Sequence, residues 1–173
     1  MSNNITFEEK SIDYEKSLDG DFKKNNGIFY TDTELASSIV KFLEIPEKAS
    51  ILDPCCGTGS FIYALQQKGY SKVYGCDFDL MTVKKCLELT ESKKIKTMDT
   101  IGQSGDIVLK KMRHSKFDYI IGNPPYAPLG KNVSIEGDAH FVAKVKSAGS
   151  NLFVAAIYRA FELAKTDGII SFI

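Results

Sequence analysis

The fold is decided by the stretch Ser50-Ile51-Leu52-Asp53-Pro54-Cys55-Cys56-Gly57-Thr58-Gly59-Ser60-Phe61, which predicts a strand, a tight glycine loop and the start of a helix. Glycine lets the backbone approach a ligand closely because it has no Cβ, and the new helix offers free N–H groups. The dinucleotide pattern G-x-G-x-x-G is altered, since Ile62 stands where its third glycine would be. A ligand with an adenosine but no pyrophosphate therefore fits this loop better, and Asp53 can pair with a cationic amine.

A second strand that ends in an acid follows the loop, in Lys72-Val73-Tyr74-Gly75-Cys76-Asp77-Phe78-Asp79. An acid about 20 residues beyond a glycine loop is placed to accept hydrogen bonds from ribose hydroxyls. We expect Asp77 to do so, although a solvated carboxylate at a strand end is the simpler alternative. Phe78 can lie against an adenine ring or be an ordinary core aromatic.

The tetrapeptide Asn123-Pro124-Pro125-Tyr126 follows the apolar run 117–122, which predicts a buried strand that ends at the ligand-binding edge of a parallel sheet. Each proline fixes φ and lacks an N–H donor, so the segment is stiff and its carbonyls have no neighbouring donor. Asn123 can both donate and accept, and Tyr126 offers a ring that can stack on a base. The combination suits a planar molecule with an exocyclic amine; the alternative is a Pro-Pro turn that ends a strand.

These motifs, in this order, resemble those of the S-adenosylmethionine-dependent methyltransferases, and more narrowly the N6-adenine DNA methyltransferases of restriction–modification systems. Three further segments are similar to family segments. Gly27-Ile28-Phe29-Tyr30-Thr31 is similar to the family segment that closes over the methionine end of the cofactor. Gly105-Asp106 is similar to the segment that carries the third-strand acid near the adenine of the cofactor. Asn151-Leu152-Phe153 is similar to the segment that follows the catalytic loop. The resemblance implies S-adenosylmethionine as cofactor and the following binding residues: Phe29, Tyr30, Thr31, Asp53, Gly57, Gly59, Asp77, Phe78 and Asp106.

The resemblance also implies the reaction, which is transfer of a methyl group from S-adenosylmethionine to the N6 amine of an adenine flipped out of DNA. The side-chain oxygen of Asn123 and the carbonyl of Pro124 would accept the two amine hydrogens and offset the positive charge that develops on nitrogen. Pro125 keeps the segment stiff, and Tyr126 would stack on the base. No metal is required.

Three alternatives to this function remain open. Protein-glutamine methyltransferases share Asn-Pro-Pro-Tyr because a side-chain amide nitrogen needs the same two acceptors, but their glycine loop usually lacks the Asp53-Pro54 opening. Some guanine-N2 RNA methyltransferases carry a related pair of motifs. The third alternative is a non-catalytic S-adenosylmethionine-binding or assembly fragment.

Length and composition fit one globular domain of 173 residues with a formal net charge of zero. DNA-binding domains usually carry a basic face, and the basic clusters at residues 93–96 and 110–113 are more typical of solvated helix faces. We therefore expect DNA to be held by regions or subunits outside this chain, such as a specificity subunit. No apolar run reaches the roughly 18 residues of a membrane helix and no signal peptide is visible. The four cysteines indicate reduced thiols in a cytoplasmic protein.

Apolar spacing predicts helices over residues 33–43, 60–68, 80–90, 107–112 and 151–165, which alternate with five strands. We expect an α/β Rossmann-like methyltransferase fold, a three-layer sandwich around a sheet of order 3-2-1-4-5. Residues 1–26 are predicted to be a polar arm, loose or shortly helical. Residues 27–173 are predicted to form the catalytic core, with a long loop over 127–150. Because the chain stops within an apolar strand, we expect a core without its last strands and target-recognition domain, inactive alone on DNA.

Overall fold

The computed structural model of the protein describes residues 6–129, 135–136 and 139–173, without the side chains of Ala139 and His140. At the centre of this described part is a sheet of five strands: β1 (Ile51–Asp53), β2 (Val73–Asp77), β3 (Ile95–Thr97), β4 (Phe117–Gly122) and β5 (Ala164–Phe172). Every neighbouring pair is parallel, and the order is β3-β2-β1-β4-β5. The predicted strand order is therefore confirmed.

The described ranges contain eight helices: α1 (Phe7–Ser17), α2 (Gly20–Asn26), α3 (Thr33–Phe42), α4 (Ser60–Gln67), α5 (Leu80–Thr90), α6 (Gly105–Met112), α7 (Ala139–Ser147) and α8 (Leu152–Leu163). The five helices predicted from the sequence are confirmed within two residues at each end. Asp32, Asp79 and Asn151 begin α3, α5 and α8, because each side chain accepts a hydrogen bond from a first-turn N–H. None of the described helices is both long and apolar enough to cross a membrane.

Side chains along the central strands alternate between the two faces of the sheet, as the strand period requires. Ile51 and Ile121 pack in a core with residues of α3, α4 and α5. Leu52 and Ile120 pack in a second core, on the other face, with residues of α6 and α8. Helices thus cover both faces, which an all-parallel sheet needs, and the predicted three-layer α/β sandwich is confirmed.

The described part of the polar segment 1–26 is helical and packed against the rest of the chain. Helix α1 begins with a capping box between Thr6 and Glu9. The Phe7 ring stacks on Tyr63 of α4 with the centroids 4.3 Å apart. The hydroxyl of Ser11 lies 2.6 Å from that of Thr58 in the glycine loop, and both residues are buried. Of the two alternatives for this segment, the helical one therefore applies and the loose one does not.

The predicted long loop over residues 127–150 is wrong in its second half, which forms α7. Phe141 and Val145 of α7 are buried in a core with Ala155 and Ala156 of α8. Their four-residue spacing is a helical signal, but the glycines and lysines around it obscured that signal in the sequence. The remainder of the loop lies partly outside the described residues.

The apolar spacing of the sequence predicts a core-facing side of α8 that includes Phe161 but not Arg159, and the structure differs at both positions. Phe161 is 65% exposed, whereas Arg159 is only 1% exposed. The Arg159 guanidinium donates to two backbone carbonyls and pairs with Glu162. A buried charge is tolerated when it is paired and hydrogen-bonded in this way, so the helix buries its arginine and leaves a phenylalanine outside.

Gly59 is expected to be needed for packing between the glycine loop and α5. It has a φ of 98°, and a Cβ there would lie 2.7 Å from the Cys86 sulfur and 2.8 Å from a Thr90 methyl. We expect Gly59→Ala to lower the free energy of unfolding by roughly 2–4 kcal/mol in urea denaturation, the sum of backbone strain and overpacking. Gly69→Ala is the matched control, since Gly69 also has a positive φ but open space around it. Its loss should be roughly 1–2 kcal/mol, and equal losses would argue against the packing role.

Candidate active site

The sequence motifs converge at the carboxyl edge of the sheet, where Asp53 ends β1, Asp77 ends β2 and Asn123 follows β4. Two adjoining cavities, one larger than the other, open there, and they share walls formed by Phe29, Tyr30, Cys55, Gly57 and Asn123. Asp77, Phe78 and Pro125 line the larger cavity, and Thr31 and Asp53 line the smaller one. Ligands of open parallel sheets bind at this edge.

Asp77 fixes the glycine loop from the end of the second strand. One carboxylate oxygen accepts the Gly57 N–H at 3.0 Å, and the other accepts the Asp79 N–H at 3.0 Å. Burial raises the pKa of Asp77 to about 6, because desolvation outweighs these two backbone hydrogen bonds. Each oxygen keeps a further lone pair, so the side chain can also accept from hydroxyl groups of a ligand in the larger cavity.

Asp53 is a buried carboxyl group that forms no ion pair with any described lysine or arginine. Its Oδ1 accepts the Cys55 N–H at 3.1 Å. Gly122 lets β4 pass close to it, since a Cβ at Gly122 would lie 2.6 Å from that same oxygen. Burial raises the pKa of Asp53 to about 8, and the Asp77 carboxyl contributes in the same direction. A cationic ligand in the smaller cavity would stabilise the charged carboxylate of Asp53 and offset the cost of its burial.

Asn123 presents an unpaired acceptor at the boundary of the two cavities. Its Nδ2 donates to the Phe29 carbonyl at 3.1 Å. Its Oδ1 is buried and has no hydrogen-bond partner within the described chain. Buried polar atoms are nearly always satisfied, so an orphan acceptor held in place by its own amide nitrogen marks a position for a ligand donor.

Tyr126 is held as a half-exposed ring beside the site. It is 43% exposed, and one face stacks on Phe153 with a centroid distance of 4.9 Å and an interplanar angle of 16°. Its hydroxyl donates to the Ile173 carbonyl. Phe29 approaches it edge-on at 6.3 Å. Pro124 is buried, and the ring surface of Tyr126 that Phe153 does not cover is available to a planar ligand.

The segment 27–31 connects the glycine loop to the Asn-Pro-Pro-Tyr segment through its carbonyls. Gly27 has a φ of 60°, and a Cβ there would lie 2.5 Å from the Tyr126 carbonyl carbon, so only glycine fits. The three alternate carbonyls at 27, 29 and 31 accept hydrogen bonds from the Tyr126 N–H at 3.1 Å, Asn123 Nδ2 at 3.1 Å and Ser60 Oγ at 2.6 Å. The predicted residues Phe29, Tyr30 and Thr31 therefore lie at the site.

Asp106 is not brought to the site. It lies exposed in the first turn of α6, away from both cavities. The acid that follows the third strand and lines the larger cavity is Asp99, whose Oδ1 accepts the N–H groups of Ile101 at 3.1 Å and Gly102 at 2.8 Å. Asp99, and not Asp106, is therefore the acid in the wall of the larger cavity. In the sequence, Asp99 lies two positions beyond β3. That strand has only three residues, which is too short for it to be located from its apolar pattern.

Two glycines of the loop have different surroundings. Gly57 lies in the walls of both cavities, and a Cβ there would press on the Tyr30 ring at 3.2 Å. Gly59 faces α5 instead and is absent from the walls of both cavities. Wall residues that sequence reasoning missed are Cys55, Met98, Thr100 and Ile101.

Tyr126 substitutions should separate the ring from the hydroxyl. Tyr126→Phe keeps the stacking surface and loses a hydrogen bond to Ile173, so the use of a planar substrate should change little. Tyr126→Ala should weaken it by roughly 1–3 kcal/mol, the usual contribution of base stacking on an aromatic ring. The measurement is kcat/KM for a planar substrate, made with the longest natural protein that contains this chain. Equal effects of the two substitutions would assign the role to the hydroxyl.

Comparison with known proteins places the chain in a family. Residues 14–173 match the family model described as N-6 DNA Methylase. The chain belongs to this family. It is 29% identical over 99% of its length to the Type II methyltransferase M.VspI of Vibrio sp. (strain 343). It is also 29% identical over 96% of its length to the modification methylase CviBIII of Paramecium bursaria Chlorella virus NC1A. It spans 42% of the length of each of these relatives.

Solved structures show the same fold at lower sequence identity. A modification subunit of a putative type I restriction enzyme from Vibrio vulnificus YJ016 superposes with a TM-score of 0.58 at 18% identity, covering 88% of this chain and 34% of that one. A methyltransferase from Thiobacillus denitrificans, in complex with S-adenosyl-L-homocysteine, superposes with a TM-score of 0.55 at 15% identity, covering 88% and 54%. The Rossmann-like fold of S-adenosylmethionine-dependent methyltransferases is therefore confirmed.

Proposed function

We propose that this chain is the catalytic part of an enzyme that transfers a methyl group from S-adenosylmethionine to the N6 amine of adenine in DNA. The observation that carries the proposal is the buried Oδ1 of Asn123, an acceptor without a partner in the described chain, at the wall of the cavity. An unpaired buried acceptor costs free energy, and an amine that donates to it removes that cost. Membership of the N-6 DNA methylase family supports the same function.

The residues around the two cavities fit S-adenosylmethionine. Asp53, buried without an ion-pair partner among the described residues, suits its ammonium group, and Asp77, with free lone pairs, suits its ribose hydroxyls. Phe78 and Ile101 offer apolar surface to an adenine ring, with Asp99 beside them. When bound, the cofactor supplies a methyl group activated by its sulfonium.

The chain's own groups act on the hydrogens and the charge of the target amine. Asn123 Oδ1 and the Pro124 carbonyl each accept one N–H, which fixes the direction of the nitrogen lone pair. The nitrogen becomes positive as it is methylated, and the same two oxygens stabilise that charge more strongly than they stabilise the neutral amine. The surplus proton then passes to water. The Tyr126 ring, backed by Phe153, holds the flipped base by stacking.

DNA is held mainly by regions or subunits that this chain does not contain. The chain has no net charge, and phosphate neutralisation by Lys and Arg supplies most of the affinity for DNA. It spans 42% of the length of its two relatives, which leaves room in such proteins for target recognition. We propose a cytoplasmic restriction–modification enzyme with a specificity subunit as its partner. This chain alone is expected not to methylate DNA and to bind duplex weakly.

The two alternative substrates also correspond to relatives. A putative protein N5-glutamine methyltransferase is 25% identical over 82% of the chain, and a tRNA (guanine(10)-N2)-dimethyltransferase is 30% identical over 54%, both from Methanocaldococcus jannaschii. Glutamine and guanine also present an NH2 group to two acceptors. DNA adenine is favoured because the methylase relatives match over nearly the whole chain.

The test is methyl incorporation by the longest natural protein that contains this chain. Labelled S-adenosylmethionine is offered with genomic DNA, tRNA or release-factor protein, and the DNA product is digested to nucleosides for mass spectrometry. We expect N6-methyladenine in DNA and background label in the other two. Label confined to tRNA or protein would replace the proposal by one of the alternatives. Cofactor binding with no transfer to any of them would favour the non-catalytic alternative.

A further inference from the structure

Arg159 joins three segments at one buried point. Its Nη2 donates to the carbonyls of Ile101 at 3.2 Å and Glu136 at 2.5 Å, and its Nη1 pairs with Glu162 on the next turn of α8. The Phe141 ring of α7 lies 4.3 Å from the guanidinium carbon. One side chain therefore holds the segment after β3, the residues before α7, and α7 itself.

The residues before α7 also contact the segment after β3 directly. The Glu136 N–H donates to the Gly102 carbonyl at 2.6 Å, and its carboxylate accepts the Ser104 N–H at 3.3 Å. Just beyond the Asn-Pro-Pro-Tyr segment, the Leu129 N–H donates to the Ser150 carbonyl at 2.5 Å. The chain that follows the target-binding residues is thus fixed at two places. Leu129 binds the residues just before α8, and Glu136 binds residues 101–104.

The segment after β3 is at the same time a wall of the larger cavity, formed by Met98, Asp99, Thr100 and Ile101. The Thr100 hydroxyl donates to the Pro54 carbonyl at 2.5 Å, which joins this wall to the glycine loop. A ligand in the larger cavity would contact this wall and restrict the motion of Ile101, whose carbonyl accepts a hydrogen bond from Arg159.

We propose that Arg159 is a positioning residue that couples occupancy of the cofactor cavity to the position of residues 135–136 and α7, on the target side. The identity of the ligand, S-adenosylmethionine or its product S-adenosylhomocysteine, rests on the proposed function. A planar fork with several fixed donors holds two carbonyls and a carboxylate together better than a lysine ammonium does. Because coupling is reciprocal, a docked target-side segment also strengthens cofactor binding.

The test combines hydrogen exchange with calorimetry on this chain. S-adenosylhomocysteine at saturation should slow amide exchange in α7 roughly 5-fold or more, the lower end of ordinary couplings. Arg159→Met should make α7 exchange insensitive to the ligand and weaken ligand affinity by a similar factor. Arg159→Lys, which keeps the charge, should give an intermediate coupling. Arg113→Met is the matched control, because Arg113 is exposed at the end of α6, and it should change neither reading.

Each outcome decides between the coupling and the proposed function. Ligand binding that leaves α7 exchange unchanged in the unaltered chain, or a coupling that survives in Arg159→Met, overturns the inference and leaves the proposed function intact. Failure of the unaltered chain to bind the ligand overturns both. Where Arg159→Met does not fold, the unaltered chain and Arg159→Lys carry the test, and equal coupling in those two also overturns it.

Discussion

In the longest natural protein that contains this chain, replacing Asn123 by Ala should lower the rate of methyl transfer by roughly 10²–10³, the usual loss when one positioned polar group is removed from a transition state. The affinity for S-adenosylmethionine should stay nearly unchanged. The reason is that Oδ1 is unpaired within the described chain, so its acceptor is used only when an amine arrives. Single-turnover rates at saturating DNA and cofactor measure the first effect, and calorimetry with the cofactor measures the second.

Two variants refine this expectation for Asn123. Asn123→Asp should retain more activity than Asn123→Ala because it keeps an acceptor oxygen. It should be less active than the unaltered protein because it loses the N–H that binds the Phe29 carbonyl. Asn25→Ala removes an exposed asparagine of α2 and should change neither quantity. A loss of cofactor affinity as large as the loss of rate would give Asn123 a structural role and sink the assignment.

The sheet order and the place of the site were predictable because local rules and topology agree here. Short apolar runs alternate with helical periods, and such alternation leads to a parallel sheet covered on both faces. The carboxyl ends of parallel strands then meet at one edge. Asp53, Asp77 and Asn123 could therefore be expected together without any knowledge of their side-chain contacts, and the structure has all three at that edge.

The errors fall where side-chain partners from distant segments decide the outcome. Arg159 looks like a surface residue from the sequence, yet it is buried because two carbonyls and Glu162 satisfy it. Phe161 looks like a core residue and is exposed. Asp99, and not Asp106, lines the larger cavity, and the sequence does not indicate this because β3 has only three residues and gives no clear end. None of these contacts leaves a periodic signal in the chain.

Asp53 should make the ligand-free protein less stable as pH rises toward about 8. Burial raises the pKa of Asp53 from 3.8 to about 8, so the folded protein holds a proton that the unfolded chain gives up. This contribution to stability is fully present below about pH 4 and is lost as pH rises through about 8. Its full size is on the order of 5 kcal/mol. Asp77, with its pKa raised to about 6, adds a smaller loss at lower pH.

Cofactor affinity should change with pH in the opposite direction. The ammonium group of S-adenosylmethionine pairs with the carboxylate of Asp53, so the protein must release a proton to bind it, and affinity should rise between about pH 6 and about pH 8. Urea unfolding and calorimetry at these two pH values measure both trends. Asp53→Asn has the same shape and no titration, so it should flatten the change in stability, bind the cofactor weakly and show no rise in affinity. An Asp53→Asn protein with the same two slopes as the unaltered chain would show that another group carries the proton.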